Sequence, residues 1–230
     1  MKKEAVVISL GGSLIYPEKL KKPDVKFLIK LDHFVKSIQK NYHVAIVCGG
    51  GYPARVYMEP LTKKFKDGLY ISRVGVGATR LNALFVSRFM KANEKIPGKG
   101  GEVKRMLKKQ NPVVCGALEV GPKRTTDSNA AELAHKLKAK FVNLTDVKGL
   151  HDKNPKKYKN AKFIRKISAS EFYTIARKME FHSGQHFVLD QSAARIIDKK
   201  KVITAIIKGG SFNEIKRFLK GQEFVGTLIH

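Results

Sequence analysis

The chain has 230 residues, 43% of them hydrophobic, and this composition excludes a disordered chain and favours one compact domain over residues 1–230. No run approaches the roughly 20 apolar residues of a membrane span, so the sequence also argues against a membrane protein. Lys and Arg number 46 against 19 Asp and Glu, and the resulting formal charge of +27 favours phosphates, nucleotides or nucleic acid as partners.

The first half of the chain predicts alternating strands and helices. Short apolar runs predict strands, and apolar spacings of three and four predict helices. The predicted elements are a strand at 6–10, a helix at 24–40, a strand at 44–48, helices at 54–65 and 74–90, a basic surface excursion at 93–111 and a strand at 112–117. Two of these strands end in glycine-rich turns.

The second half continues this alternation. A turn at 121–127 leads into a helix at 128–138, and the remaining predictions are a strand at 141–144, a polar loop at 145–158, helices at 168–178 and 189–199, a strand at 202–207, a helix at 211–220 and a strand at 224–229. This alternation of strands and helices favours an α/β fold, a three-layer α/β/α sandwich with a mainly parallel central sheet.

Three turns at the ends of predicted strands suit phosphate groups. They are Gly11-Gly12-Ser13, Gly49-Gly50-Gly51 and Thr125-Thr126, and each precedes a predicted helix. Glycines let backbone N–H groups at a helix N-terminus approach a phosphate closely. The sequence contains neither GxxxxGK[ST] nor GxGxxG, so we expect a phosphate-binding fold other than the P-loop or dinucleotide folds.

The two cysteines predict a reducing environment. Cys48 and Cys115 each lie at the end of an apolar run, and neither has the spacing of a metal site. Buried free thiols are typical of proteins in reducing compartments, so we expect a cytoplasmic protein.

Six motifs in chain order carry a resemblance to a known family. The strings VVISLGGSL, VCGGGYPAR, ATRLNAL, RTTDSNAAELA, LTDVKGLHDKNP and VLDQSAARII, with the closing KGQEFVGTLI, cover nearly the whole chain. Together they resemble the archaeal-type uridylate (UMP) kinases of the amino acid kinase superfamily. The resemblance implies transfer of the γ-phosphate of ATP to UMP with Mg²⁺, and a homohexamer.

The resemblance also implies site residues. Asp127, Arg55 and Asp190 would be catalytic, with Asp127 orienting the reacting groups. The ATP side would comprise Ser9, Leu10, Gly11, Gly12, Ser13, Gly51, Arg55, Thr145, His151 and Asn154. The UMP side would comprise Gly50, Ser72, Arg80, Asn82, Gly121, Lys123, Arg124, Thr125 and Thr126. Residues 1–120 would form mainly the acceptor half and residues 121–230 mainly the nucleotide half, and no cluster of metal-ligating side chains is predicted.

Several positions depart from the family pattern. Ser72 replaces an aspartate that commonly contacts the UMP ribose, and Lys123 replaces a glycine. In the nucleotide loop, Lys148 and Asn154 replace aspartates and His151 replaces a tyrosine. Two alternatives therefore stay open, namely a kinase for another small phosphate or carboxylate, and a noncatalytic protein that binds nucleotides or nucleic acid. Nucleic acid is not favoured, because the lysines are spread through most segments, as on a generally basic surface.

Overall fold

The computed structural model describes residues 3–121, 124–153, 155, 158–178 and 189–230. Within these residues, seven strands form one sheet: β1 Glu4–Leu10, β2 Tyr42–Cys48, β3 Val113–Cys115, β4 Lys140–Thr145, β5 Lys166–Ile167, β6 Thr204–Lys208 and β7 Thr227–Ile229. The helices are α1 Gly12–Ile15, α2 Val25–Ile38, α3 Gly51–Lys64, α4 Gly68–Phe89, α5 Gly100–Met106, α6 Thr126–Leu137, α7 Ala169–Lys178, α8 Gln191–Lys200 and α9 Phe212–Leu219.

The sheet has the order β3-β2-β1-β4-β6-β7-β5 and is parallel except where β7 runs antiparallel to β6. In the register of the central strands, Leu10 lies opposite both Cys48 and Leu144. The carboxyl ends of β1, β2 and β4 therefore finish together at one edge of the sheet. This is the edge at which open parallel sheets bind their ligands.

Helices cover both faces of the sheet, which confirms the predicted three-layer sandwich. Side chains of α2, α4 and α9 bury one face, and side chains of α5, α6, α7 and α8 bury the other. Successive residues of a strand point to opposite faces, so Val7 joins one core cluster while Val6 and Ile8 join the other. Both cysteines are buried and unpaired, as predicted. Within the described part of the chain, no helix is long and apolar enough to cross a membrane.

Some predicted boundaries are wrong for local reasons. The helix predicted from residue 74 begins at Gly68, because the Asp67 carboxylate accepts hydrogen bonds from the N–H groups of Leu69 and Tyr70 and caps the helix there. The strand predicted at 112–117 ends at Cys115, since the Ala117 N–H donates to the Thr79 hydroxyl on α4 instead of to a neighbouring strand.

The last strand is also shorter than predicted, and one short strand was not predicted. β7 begins only at Thr227, and the preceding Val225 N–H donates to the Glu214 carboxylate. β5 contains only two residues, too few to show the alternation that marks a strand in a sequence.

Candidate active site

Four helices begin at the carboxyl edge of the sheet. β1 leads into α1, β2 leads into α3, and α6 and α8 begin at Thr126 and Gln191 with Thr125 and Asp190 as their N-caps. The first N–H groups of a helix have no partner within the helix, and the helix dipole is positive at this end. The longer helices α3, α6 and α8 therefore favour negatively charged groups at this edge.

The two glycine-rich turns pack directly against each other. A Cβ atom on Gly12 would lie 2.2 Å from the Gly51 nitrogen, and a Cβ on Gly51 would lie 2.4 Å from the Gly12 carbonyl carbon. Gly51 also adopts φ +61°, a region that favours glycine. The Gly49 N–H donates to the Leu10 carbonyl over 2.9 Å and fixes the two turns together. The turns thus form one continuous backbone surface that side chains do not interrupt.

Asn82 on α4 holds the second turn from behind. Its amide Nδ2 donates to the Gly49 carbonyl over 2.7 Å and to the Gly50 carbonyl over 3.1 Å. The side chain is buried, with 6% of its surface exposed. Asn82 therefore shapes the Gly49-Gly50-Gly51 turn, and its predicted contact with a ligand stays a prediction.

Asp127, in the first turn of α6, meets the end of β1. The Ser9 hydroxyl donates a hydrogen bond to Asp127 Oδ1 over 2.7 Å. Burial raises the pKa of Asp127 to about 7, the negative charge of Asp190 raises it as well, and the hydrogen bond from Ser9 lowers it. An acidic pair with one strongly perturbed member is a frequent mark of a functional site.

Asp190 and Thr125 connect the N-termini of α8 and α6. Asp190 Oδ1 accepts from the backbone N–H groups of Ser192, over 2.7 Å, and Ala193, over 3.1 Å. Its other oxygen, Oδ2, accepts from the Thr125 hydroxyl over 2.5 Å. Thr125 Oγ1 in turn accepts from the Ser128 N–H over 3.0 Å, which caps α6. Asp190 is thus a helix cap and also part of the acidic pair.

The predicted arginines are exposed and lie in different parts of the chain. Arg55 on α3 pairs with Glu18 over 3.0 Å, and Arg124, just before α6, pairs with Glu119 over 2.8 Å. The Arg80 guanidinium on α4 lies beside Gly98. Exposed ion pairs contribute only about 0 to 1 kcal/mol, so a phosphate can compete with Glu18 or Glu119 for either arginine.

Comparison with known proteins decides the family. Residues 4–209 match the amino acid kinase family. The chain belongs to this family. It is 33% identical over 226 residues to uridylate kinase of Archaeoglobus fulgidus, a match that covers 97% of this chain and 99% of that protein. It is also 31% identical over 228 residues to uridylate kinase of Methanococcus aeolicus, which covers 98% and 99% of the two chains.

A solved structure agrees with these relatives. The crystal structure of uridylate kinase from Archaeoglobus fulgidus matches this amino acid kinase fold with a TM-score of 0.83 and 30% identity, covering 98% of this chain and 99% of that one. The predicted resemblance to archaeal-type uridylate kinases and the predicted fold class are both confirmed.

The remaining predicted site residues lie on several different elements of the fold. The Ser72 hydroxyl on α4 donates to the Gly121 carbonyl over 3.1 Å, which joins two positions predicted for the UMP side. Thr145 ends β4, and its carbonyl accepts from the Gly209 N–H over 2.6 Å. His151 packs its ring against Phe163, at 5.4 Å between ring centroids. Lys123 and Asn154 lie outside the described residues.

Asn129 is a site residue that sequence reasoning missed. It is buried on α6, and its Oδ1 accepts from the N–H groups of Leu118 and Glu119 while its Nδ2 donates to the Thr125 carbonyl. These bonds fix the backbone at Leu118, Glu119 and Thr125, in the segment that leads into α6, the helix that carries Asp127. An amide side chain two residues after Asp127, directly before apolar residues, was the available signal, since buried polar side chains need partners.

Proposed function

We propose that this protein is a uridylate kinase, which transfers the γ-phosphate of ATP to UMP and forms UDP for pyrimidine nucleotide synthesis. The observation that carries the proposal is the joined backbone surface of the two glycine turns, with Asp127 and Asp190 at the same edge of the sheet. Two phosphate-binding turns in contact suit a reaction in which two phosphate groups must meet. The uridylate kinases among its relatives give the substrate class.

In the proposed reaction, an oxygen of the UMP phosphate attacks the γ-phosphorus of ATP. The bond from that phosphorus to the bridging oxygen breaks, and ADP leaves with the electron pair. The acceptor phosphate is already ionised at neutral pH, because its second pKa is about 6, so the protein needs no general base. Catalysis of this kind depends on positioning and on neutralising negative charge.

Each part of the site has one task in this proposal. The N–H groups of the two turns bind and align the phosphates, and Arg55 and Arg124 exchange their exposed partners for phosphate charge. Asp127, held by Ser9, and Asp190, held by Thr125, orient the reacting groups. Residues of both predicted halves, 1–120 and 121–230, contribute to the site, and the assignment of acceptor and nucleotide to those halves stays a prediction.

The acidic pair of Asp127 and Asp190 fits a Mg²⁺ ion that is bound together with ATP. No group of three or more His, Cys, Asp or Glu that suits a metal occurs among the described residues. Mg²⁺ is commonly held by one or two carboxylates together with substrate phosphates, and Asp127 and Asp190 supply that number. The bound ion would neutralise charge on the phosphates, and it would also relieve the repulsion between the two aspartates.

A coupled assay with several acceptors tests the proposal. With Mg-ATP as donor, we expect UMP to turn over faster than CMP, other nucleoside monophosphates or small carboxylates. Absence of turnover with both UMP and CMP would contradict the proposal. Faster turnover of a small carboxylate or of another phosphate than of UMP would show that the protein has a different acceptor. Ser72→Asp, compared with Ser72→Ala, tests the acceptor side, because a carboxylate at this position should lower the KM for UMP.

We further propose that the protein forms a homohexamer in the cytoplasm, as the resemblance implies. The exposed side chains of Leu81, Leu84 and Phe85, at 61%, 42% and 37% exposure, form one stripe on α4 and support self-association. Leu84→Asp should dissociate the assembly in light-scattering measurements, whereas Val25→Asp on α2 should not. A wild-type monomer would contradict the assembly. The buried, unpaired cysteines support the reducing location.

A further inference from the structure

The opposite edge of the sheet contains a second concave surface, which we call the basic cavity. It has a volume of about 710 Å³, and its charged lining comprises Lys136, Lys138, Lys140, Lys200, Lys201 and Glu4. These residues come from the C-terminal ends of α6 and α8 and from the first residues of β1 and β4. Chain segments far apart in the sequence thus bring five lysines and one glutamate to one place.

The positive charge of the basic cavity is only weakly compensated. Lys140 lies 3.4 Å from Glu4, and Lys201 lies 2.9 Å from Asp198. Among the residues that the structure describes, Lys136 has only long contacts, at 3.6 and 3.8 Å, to two glutamates. Lys138 and Lys200 form no ion pair with any described residue. Because such exposed pairs contribute at most about 1 kcal/mol, phosphate groups can replace the carboxylates.

The helix dipole explains only part of this cluster. Cations at a helix C-terminus are favourable, and Lys136 and Lys200 lie in the last turns of α6 and α8. Lys140, however, begins a strand, and its ammonium group also donates to the Leu219 carbonyl over 2.7 Å. The helix dipole therefore accounts for the lysines at the two helix ends but not for the strand lysine beside them.

We propose that the basic cavity binds the phosphate backbone of a nucleic acid strand. The lysines supply mobile point charges, which suit phosphates, and five of them line the cavity against a single side chain, His135, that could stack on a base or hydrogen-bond to its edge. A strand offers these lysines one phosphate after another, whereas a single nucleotide offers its phosphates at one point only. The binding is therefore independent of sequence, and the net charge of +27 favours encounter with a polyanion.

The basic cavity is separate from the kinase site. α6 and α8 carry Asp127 and Asp190 at their N-terminal ends and cavity lysines at their C-terminal ends. β1 spans seven residues between the two edges, which corresponds to about 20 Å. A strand in the basic cavity and nucleotides at the glycine turns can therefore bind at the same time, and the inference does not depend on the proposed kinase activity.

Fluorescence anisotropy on the full chain tests the inference with a labelled 20-nucleotide RNA and the DNA of the same sequence. The cavity variant is Lys138→Asn, Lys200→Gln and Lys201→Asn together. Asn suits positions 138 and 201, where the backbone is left-handed with φ 52° and 49°. The matched control is Lys26→Gln, Lys30→Gln and Lys40→Gln, which removes the same charge from exposed positions on and near α2.

We expect the cavity variant to bind either strand at least tenfold more weakly at low salt and the control to change binding less than twofold. The slope of log affinity against log salt should fall by about 2 in the cavity variant, since three phosphate contacts are lost. Saturating Mg-ATP and UMP should leave binding unchanged.

Three outcomes would overturn the inference. The wild type binds neither strand, the control loses as much affinity as the cavity variant, or nucleotides displace the strand. Binding of RNA and DNA alike, or of one in preference, supports it, because both share the phosphodiester backbone. A melting temperature of the cavity variant within a few degrees of wild type confirms that the variant is folded.

Discussion

The two edges of the central sheet present different kinds of groups that suit phosphate binding. At the carboxyl edge, backbone N–H groups of the two glycine turns are fixed by Asn82 and by contact between Gly12 and Gly51. At the amino edge, the basic cavity presents flexible lysines with weak partners. Fixed donors select one geometry, as a reaction requires, whereas mobile charges tolerate many. The lysines of the basic cavity and the residues of the proposed reaction therefore lie at opposite ends of the same two helices, α6 and α8.

The acidic residues sharpen this contrast. Asp127 and Asp190 lie together at the carboxyl edge, where burial and mutual repulsion raise the pKa of Asp127. At the amino edge, carboxylates such as Glu4 and Asp198 are the partners of lysines. Burial and the neighbouring Asp190 therefore disfavour the negative charge of Asp127 itself, and a bound Mg²⁺ would relieve this repulsion.

The largest effect should come from Asp127→Asn. Removing the carboxylate that orients the reacting groups should lower kcat by on the order of 100 to 1000-fold, as loss of one preorganised polar group does in other enzymes. Steady-state kinetics with Mg-ATP and UMP measure this, and the variant should keep its affinity for nucleic acid. A fall of less than tenfold would remove Asp127 from the proposed mechanism.

The same variant should be more stable than wild type at alkaline pH. The pKa of Asp127 in the folded state, about 7, lies above the ordinary value of 3.8, so the folded state binds more protons between these values. The free energy of unfolding of wild type should therefore fall as the pH rises from about 4 to 7. Asp127→Asn lacks this fall, and urea unfolding should show a gain on the order of 4 kcal/mol at pH 8 that disappears near pH 4.

Gly12→Ala tests the contact between the two turns. The added Cβ would lie 2.2 Å from the Gly51 nitrogen, so the turns must separate. We expect kcat to fall by on the order of 100-fold through misplacement and stability to fall by about 2 kcal/mol. Gly77→Ala on α4 is the matched control, because its Cβ would meet no atom within 4 Å and should stabilise the helix by about 0.5 to 1 kcal/mol. Equal behaviour of the two variants would contradict the role of the contact.

Ser9→Ala should have a smaller effect, visible in the pH profile. Without the hydroxyl that donates to Asp127, the pKa of that carboxyl should rise further. If ionised Asp127 is the active form, kcat/KM rises with pH through the neutral range in wild type, and the midpoint should shift to higher pH in Ser9→Ala. Ser9→Thr keeps a hydroxyl and should restore the midpoint. An unchanged midpoint in Ser9→Ala would show that the bond does not tune Asp127.

The smallest effect on catalysis should come from the amino edge. The variant that combines Lys138→Asn, Lys200→Gln and Lys201→Asn should change kcat and KM for UMP less than twofold, because about 20 Å of strand separate the edges. A large loss of activity in a folded variant would show that the two ends of α6 and α8 are coupled, and the comparison between edges would then fail.

Local signals in the sequence determined much of this protein. Short apolar runs, three-and-four spacings and glycine turns predicted the layered fold, and the ordered motifs predicted the family. These features depend on neighbours within a few residues, so they are visible without a structure. The start of α4 at Gly68 was missed because the cap at Asp67 lies outside the periodic apolar pattern.

Contacts between distant residues were decided only by the tertiary structure. The packing of α6 against β1 brings Asp127 to Ser9, the packing of α4 brings Asn82 to the second glycine turn, and the packing of α6 against α8 brings Thr125 to Asp190. The basic cavity arises in the same way, from lysines about 60 residues apart in sequence, since the ends of α6 and α8 lie beside the first residues of β1 and β4. Sequence spacing contains no information on such long-range contacts, because they depend on how the buried surfaces of separate elements pack together.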